Sequence, residues 1–169
     1  MMHARMRDVD VLIQAGCSAD VVAHCRKVSL MALSFADRLR DPVDRELVRL
    51  GGLFHDIGRS RTHDIAHAIA GVEIGCALGF SEQLLRIIER HVGAGITAAE
   101  ARRLGLPAKD YLPLTREEQL VSYADNLISG EREMTYTEAL HRFTRILGPD
   151  HEGVELFRRQ HQEVQGWMK

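Results

Sequence analysis

The chain has 169 residues, 45% of them hydrophobic and 27% charged, with a net charge of −2 and a pI near 6.5. A chain of this length suits one domain and buries roughly 70% of its unfolded surface. The charge balance argues against a long nucleic-acid duplex or an anionic membrane as partner, and leaves room for a local basic pocket that takes one phosphate group.

The periodicity is helical throughout. Residues 7–15 read as a short helix closed by Gly16, and Ser18 as the N-cap of a long helix over 19–40 with Val21, Cys25, Val28, Leu30 and Phe35 among its apolar positions. Asp41-Pro42 reads as a stop and restart, an N-cap followed by proline at the first helical position, for a helix that runs to Ile57 and ends at Gly58. Residues 64–78 form the next helix, closed by Gly79. Ser81-Glu82 opens another that ends near Val92, where Gly93-Ala-Gly95 breaks the chain. A short helix over 97–104 and a loop over 106–113 follow. Thr115 with Glu118 reads as a capping box for a helix over 116–129. Two closing helices, 136–147 and 150–167, are separated by Gly148-Pro149. No alternating β pattern longer than four residues, repeat or low-complexity tract interrupts this, so the expected fold is all-α, a single-domain irregular helical bundle over residues 1–169.

No run approaches the roughly 18 apolar residues of a membrane span, and Met1–Asp8 has no apolar segment of the secretory kind. Cys17, Cys25 and Cys76 form no CxxC pair, so buried free thiols in a reducing cytoplasm are expected.

The chemistry concentrates in His55-Asp56-Ile57-Gly58, just after the apolar run Leu50–Phe54. A helix entering a core avoids titratable pairs unless something compensates their burial, and a metal ion would do so. His24 sits on an apolar helix face, where a lone histidine reads more often as a hydrogen-bonded core residue than as a ligand. Asp125, in Tyr123-Ala-Asp-Asn-Leu-Ile128, is flanked by apolar residues and reads alone as a capping or buried, hydrogen-bonded carboxylate.

The ordered set His24, His55-Asp56 and Asp125 resembles the HD superfamily of metal-dependent phosphohydrolases, with HDIGR (55–59), HAIAG (67–71), ERHVGAG (89–95) and YADNLIS (123–129) similar to its blocks over about residues 20–130. The resemblance implies a helical domain of that type. His67 and His91 occupy the places of two further histidines in the dinuclear subset, which implies one metal on His24, His55, Asp56 and Asp125 and a second on Asp56, His67 and His91. The alternative is that His67 and His91 only line a mononuclear pocket. His63-Asp64 is a second, decoy pair; Asp64 suits a helix N-terminus, and His63 is an alternative ligand or a substrate contact.

Mixed nitrogen and oxygen donors suit a divalent transition metal, Fe or Mn first and Co, Ni or Zn as alternatives. Two such ions would activate water for attack on a small phosphoester such as a nucleotide, cyclic nucleotide or dinucleotide. Asp56 and Arg59 are the catalytic candidates. Arg59 either neutralises phosphoryl charge or meets a helix dipole; Lys109, Arg90 and Tyr111 are weaker substrate candidates, and 93–115 a candidate lid. Two other readings share the ligand pattern: an HD-fold mixed-valent di-iron oxygenase, and a non-catalytic binding or signalling module. The closing helix, with Val154, Leu156, Phe157, Val164 and Trp167, either packs on the core or mediates a homodimer. His3, His141, His151 and His161 are expected to be solvated.

Overall fold

A computed structural model describes residues 7–169. The helices are α1 (Asp8–Ala15), α2 (Ala19–Ala36), α3 (Arg45–Phe54), α4 (His67–Ala77), α5 (Glu82–Glu89), α6 (Ala98–Arg103), α7 (Arg116–Asn126), α8 (Tyr136–Leu147) and α9 (Glu152–Trp167), with a 3-10 turn over Ile57–Ser60. The expected all-α class holds. One small element departs from it: β1 (Ile128–Ser129) and β2 (Arg132–Glu133) form an antiparallel hairpin, pairing Ile128 with Glu133 and Ser129 with Arg132. Its strands are too short to show alternation, and α7 ends at Asn126 rather than at residue 129.

Several caps act as their residue types require. Ser18 accepts from Val21 N at 3.3 Å. Thr115 accepts from Glu118 N at 3.1 Å while the Glu118 carboxylate accepts from Thr115 N, the reciprocal box expected there. At α3 the expected Asp41-Pro42 start is wrong: Asp44 is the N-cap and accepts from Leu47 N at 3.0 Å. The chain leaves α2 early because residues 38–40 pair with the C-terminus: Arg40 N donates to Trp167 O at 2.9 Å and Lys169 N to Arg38 O at 3.0 Å.

A large core gathers α2, α3, α7, α8 and α9 around Val28, Val48, Leu120, Tyr123 and Phe157. A second gathers α1 to α5 around Leu12, Cys25, Leu53, Ile57 and Ile88. In α9, Val154, Phe157 and Val164 are fully buried, so its apolar face packs inward. Leu30, expected on the apolar side of α2, is instead 68% exposed. Cys17 and Cys25 are buried, but Cys76 lies on the outer face of α4 and is exposed, against expectation. Neither His151 nor His161 is simply solvated. His151 Nδ1 accepts from Gly153 N, capping α9, and His161 stacks on Tyr136 at 3.5 Å and meets the Tyr123 hydroxyl at 2.6 Å. His141 is exposed as expected, and His3 lies outside the described residues.

Among the described residues no helix is long and apolar enough to cross a membrane.

Candidate metal centre

The six residues singled out in the sequence converge. His24 comes from the second turn of α2, His55 and Asp56 from the break between α3 and the 3-10 turn, His67 from the first position of α4, His91 from just beyond α5, and Asp125 from the last turn of α7. Each of these helix ends differs from its expected position by a few residues. α3 stops at Phe54, α4 starts at His67, and α5 stops at Glu89.

Helix ends leave backbone carbonyls without intrahelical partners, and His55 and His91 use them. His55 Nδ1–H donates to Gly52 O at 2.7 Å and His91 Nδ1–H to Ile88 O at 2.7 Å, each three residues back. His67 Nδ1–H donates to Asp64 O at 2.7 Å, and His24 Nδ1–H to Gly130 O, in the hairpin turn, at 2.6 Å. A carbonyl can only accept, so each Nδ1 carries a proton and each ring turns its Nε2 inward, free to meet a cation.

The four Nε2 atoms surround Asp56. Its Oδ1 lies 3.2 Å from both His67 Nε2 and His91 Nε2. Its Oδ2 lies 3.6 Å from His24 Nε2 and 3.5 Å from His55 Nε2. Asp125 Oδ1 completes the second side, 2.9 Å from His24 Nε2 and 3.3 Å from His55 Nε2. One carboxylate therefore faces a separate pair of imidazoles with each oxygen.

These residues fit a metal on grounds internal to the site. His67 Nε2 and His91 Nε2 are 3.1 Å apart, and with both protons committed to Nδ1 neither ring has one to place between them. His55 Nε2 is buried with no hydrogen-bond partner, since neither nearby carboxylate has hydrogen-bond geometry to it. Such a buried atom is costly unless a cation meets it. Donors held about 2.0–2.1 Å from one ion lie about 2.9–3.4 Å from each other, close to the spacings found here. Two overlapping donor groups result, His24–His55–Asp125 and His55–Asp56–His91.

The electrostatics agree. Burial disfavours charge on His55, but the Asp56 and Asp125 carboxylates outweigh it and raise its pKa to about 9. Burial likewise opposes ionisation of Asp56, but His55 and then His67 and His91, packed against it, hold its pKa well below the usual carboxylate range. Asp125 is held low against burial by His55 and His24. Burial lowers His91 despite its contact with Asp56. The pocket is built for positive charge.

The glycine of HDIG ends no helix by left-handed geometry. A Cβ on Gly58 would lie 1.7 Å from His67 O and 2.6 Å from Gly71 N, so glycine permits the 3-10 turn to touch α4. That contact brings His67 to Asp56. Gly52 does the same at the crossing of α2 and α3, where a Cβ would lie 2.5 Å from Ser29 Cα.

His24, Asp56 and Asp125 open onto a cavity of about 820 Å³ that Arg59 and His63 also line. Arg59 donates from Nε to Asp56 Oδ2 at 2.9 Å and from Nη1 to His63 O at 3.2 Å. His63 is exposed on the cavity rim and stays out of the cluster; Asp64 accepts from Ala66 N in the turn before α4. The remaining substrate candidates lie elsewhere. Lys109 pairs with Glu89 on the surface, Arg90 with the buried Glu118 at 3.0 Å, and the Tyr111 hydroxyl donates to Pro107 O. Of the suggested 93–115 lid only Gly93 lines the cavity; Ile96, Ala101 and Tyr111 of that segment form a small core of their own.

Sequence reasoning missed three contributors. Gly130, signalled by the Ser-Gly turn dipeptide, fixes His24. Gln160 on α9 donates to Ser122 Oγ and Gln119 Oε1 and accepts from Asn126 Nδ2, each at 2.9 Å. Ser122 and Asn126 in turn donate to Gly93 O, which ties the loop after His91 to the helix of Asp125. Finally Arg142, Phe143, Ile146 and Leu147 of α8 form a wall of the cavity.

Comparisons with known proteins agree with this architecture. An uncharacterized protein of Methanocaldococcus jannaschii is 48% identical over 156 residues, 90% of this chain and 92% of that protein. The tRNA (cytidine(56)-2′-O)-methyltransferase of Picrophilus torridus is 46% identical over 123 residues, 73% of this chain but 36% of that longer protein. The HD domain of the L. monocytogenes phosphodiesterase PgpH superposes with a TM-score of 0.56 at 14% identity, covering 96% of this chain and 98% of that one. The same domain in complex with cyclic-di-AMP gives 0.57 at 15% identity, covering 94% and 95%. The HD-domain family model matches residues 21–130, the span that holds all six converging side chains, and this chain belongs to the HD-domain family.

Proposed function

We propose that this chain is a metal-dependent phosphohydrolase that cleaves a small phosphoester such as a nucleotide, cyclic nucleotide or dinucleotide. The observation that carries the reading is Asp56, whose two oxygens each face a pair of imidazoles beside an open cavity. His24, His55 and Asp125 would hold one divalent ion and His67 and His91 a second, with Asp56 between them. Fe or Mn suits these donors first, then Co, Ni or Zn. The ions would supply Lewis acidity toward a phosphoryl oxygen and acidify water near neutral pH.

The protein's own groups do the rest. The backbone carbonyls of Gly52, Asp64, Ile88 and Gly130 fix the four imidazole tautomers. Asp125, with 20% of its side chain exposed, and His24, with 14%, form the open side through which substrate approaches. Arg59, with 30% of its side chain exposed, places a guanidinium beside Asp56 where charge grows on the phosphoryl oxygens.

The test is metal analysis of anaerobically purified protein, followed by anaerobic phosphate-release assays on the same sample. Two metals per chain with phosphate release is the expected result. Two irons without phosphate release would favour the oxygenase chemistry, and a chain that takes up no metal would end the enzyme reading.

A further inference from the structure

We propose that the C-terminal half of α8 is the substrate-reading wall of the cavity and selects a nucleotide that carries a second phosphate besides the scissile one; this rests on the phosphohydrolase reading of the metal end. The wall lies beyond residues 21–130, and α8 supplies no donor to the metal centre.

Arg142 and Ile146 are one helical turn apart, as are Phe143 and Leu147, so the four form two adjacent stripes along one side of α8. Phe143 is held in place by Phe157, whose ring stacks on it at 4.4 Å and 15°. Beside it, Ile146 is 63% exposed and Leu147 38% exposed. Single exposed apolar residues need no explanation. Here they adjoin an aromatic ring in the wall of one cavity, with Val21 and Ile128 also in its lining, which suits the planar apolar faces of a base.

The cations divide the labour. Arg59 is committed to Asp56 and the His63 carbonyl. Arg142, half-buried in the cavity wall, has no hydrogen-bond or ion-pair partner among the described residues. Asp20, the lining's carboxylate outside the metal centre, makes no ion pair with it. A guanidinium fork left free in a concave site is suited to bidentate capture of a phosphate. Arg59 already stands beside Asp56 at the metal end, which leaves Arg142 for a second phosphate. A volume of about 820 Å³ is ample for such a ligand.

The experiment uses the full metal-loaded chain. Binding of adenosine 3′,5′-bisphosphate, AMP, ribose 5-phosphate and inorganic phosphate is measured by calorimetry, with phosphate release followed in the same samples. The bisphosphate should bind tightest. Arg142→Ala should weaken it by roughly tenfold or more while AMP changes by less than about twofold. Ile146→Ser, on the exposed side, should weaken both adenine nucleotides about threefold or more and leave ribose 5-phosphate unchanged. An Arg142→Ala effect equal on all four ligands, or absent, overturns the proposal. So does Ile146→Ser altering oligomeric state while leaving nucleotide binding intact. Selective bisphosphate binding without turnover would sink the hydrolase reading and keep the wall. Hydrolysis of bis(p-nitrophenyl) phosphate with no selectivity among the four ligands would keep the hydrolase and sink the wall.

Discussion

Gly58→Ala tests whether the HDIG glycine serves the metal centre through packing. Its new Cβ would start 1.7 Å from His67 O and 2.6 Å from Gly71 N, both rigid backbone atoms, where real contacts do not fall below 3.0 Å. Relief requires the 3-10 turn and α4 to separate by at least about 1.3 Å, the difference between 1.7 and 3.0 Å. If His67 moves with α4, its Nε2 retreats from 3.2 Å to as far as about 4.5 Å from Asp56 Oδ1. That exceeds the spacing of two donors on one ion. The His67–His91 side should therefore lose its metal while His24, His55 and Asp125 keep theirs. Stability should fall by about 1–3 kcal/mol, the usual cost of overpacking. Metal per chain by elemental analysis, with denaturant unfolding, reads both effects. Gly79→Ala is the control: Gly79 has a positive φ of 76° but nothing within reach of a Cβ, so the variant should be strained locally and keep both metals. Wild-type metal content and stability in Gly58→Ala would refute the packing argument.

Other perturbations probe separate parts of the site. Asp56→Ala should lose both ions and leave the helical circular dichroism signal in place; unchanged stoichiometry would contradict its position between two imidazole pairs. Arg59→Ala should slow phosphoester turnover without loss of metal, and identical kinetics would remove Arg59 from the site. Gln160→Leu strands Ser122, Gln119 and Asn126 in a buried network and should cost about 1–3 kcal/mol in denaturant unfolding; a neutral result would mean the network relaxes without it. The Glu100 carboxyl is pulled from its usual 4.5 to about 2 by hydrogen bonds from Arg103 and then His151. A depressed carboxyl stabilises the fold above its unfolded pKa, and the contribution fades as pH falls from about 4.5 toward 2. Glu100→Gln should thus narrow its stability gap to wild type across that window, and a gap independent of pH would exclude the linkage.

Of the donor set, His55-Asp56 was legible from local chemistry, an imidazole and a carboxylate just after an apolar run; His24, His67, His91 and Asp125 were legible only through the resemblance to the HD order. What surrounds the set was not. The amphipathic pattern of α8 identifies which residues share a face but not that Arg142 and Ile146 face the cavity opened by α2 and α7. The two-residue strands of the hairpin carry no period, yet Gly130 in their turn fixes His24. Cys76 and His161 depart from expectation for the same reason: exposure is set by which neighbour covers a face. The apolar pattern carries α3 to Ile57, α5 to Val92 and α7 to residue 129, and begins α4 at residue 64, yet the helices end at Phe54, Glu89 and Asn126 and begin at His67. Those stretches hold His55, Asp56 and His91 or adjoin His67 and Asp125. Continued helix would consume the carbonyls of Gly52 and Ile88 in its own hydrogen bonds. Broken helix frees them to hold imidazole protons, so that each Nε2 faces the place where a cation is needed. α3 and α5 therefore stop short of their apolar pattern at the same places where the site requires a free carbonyl.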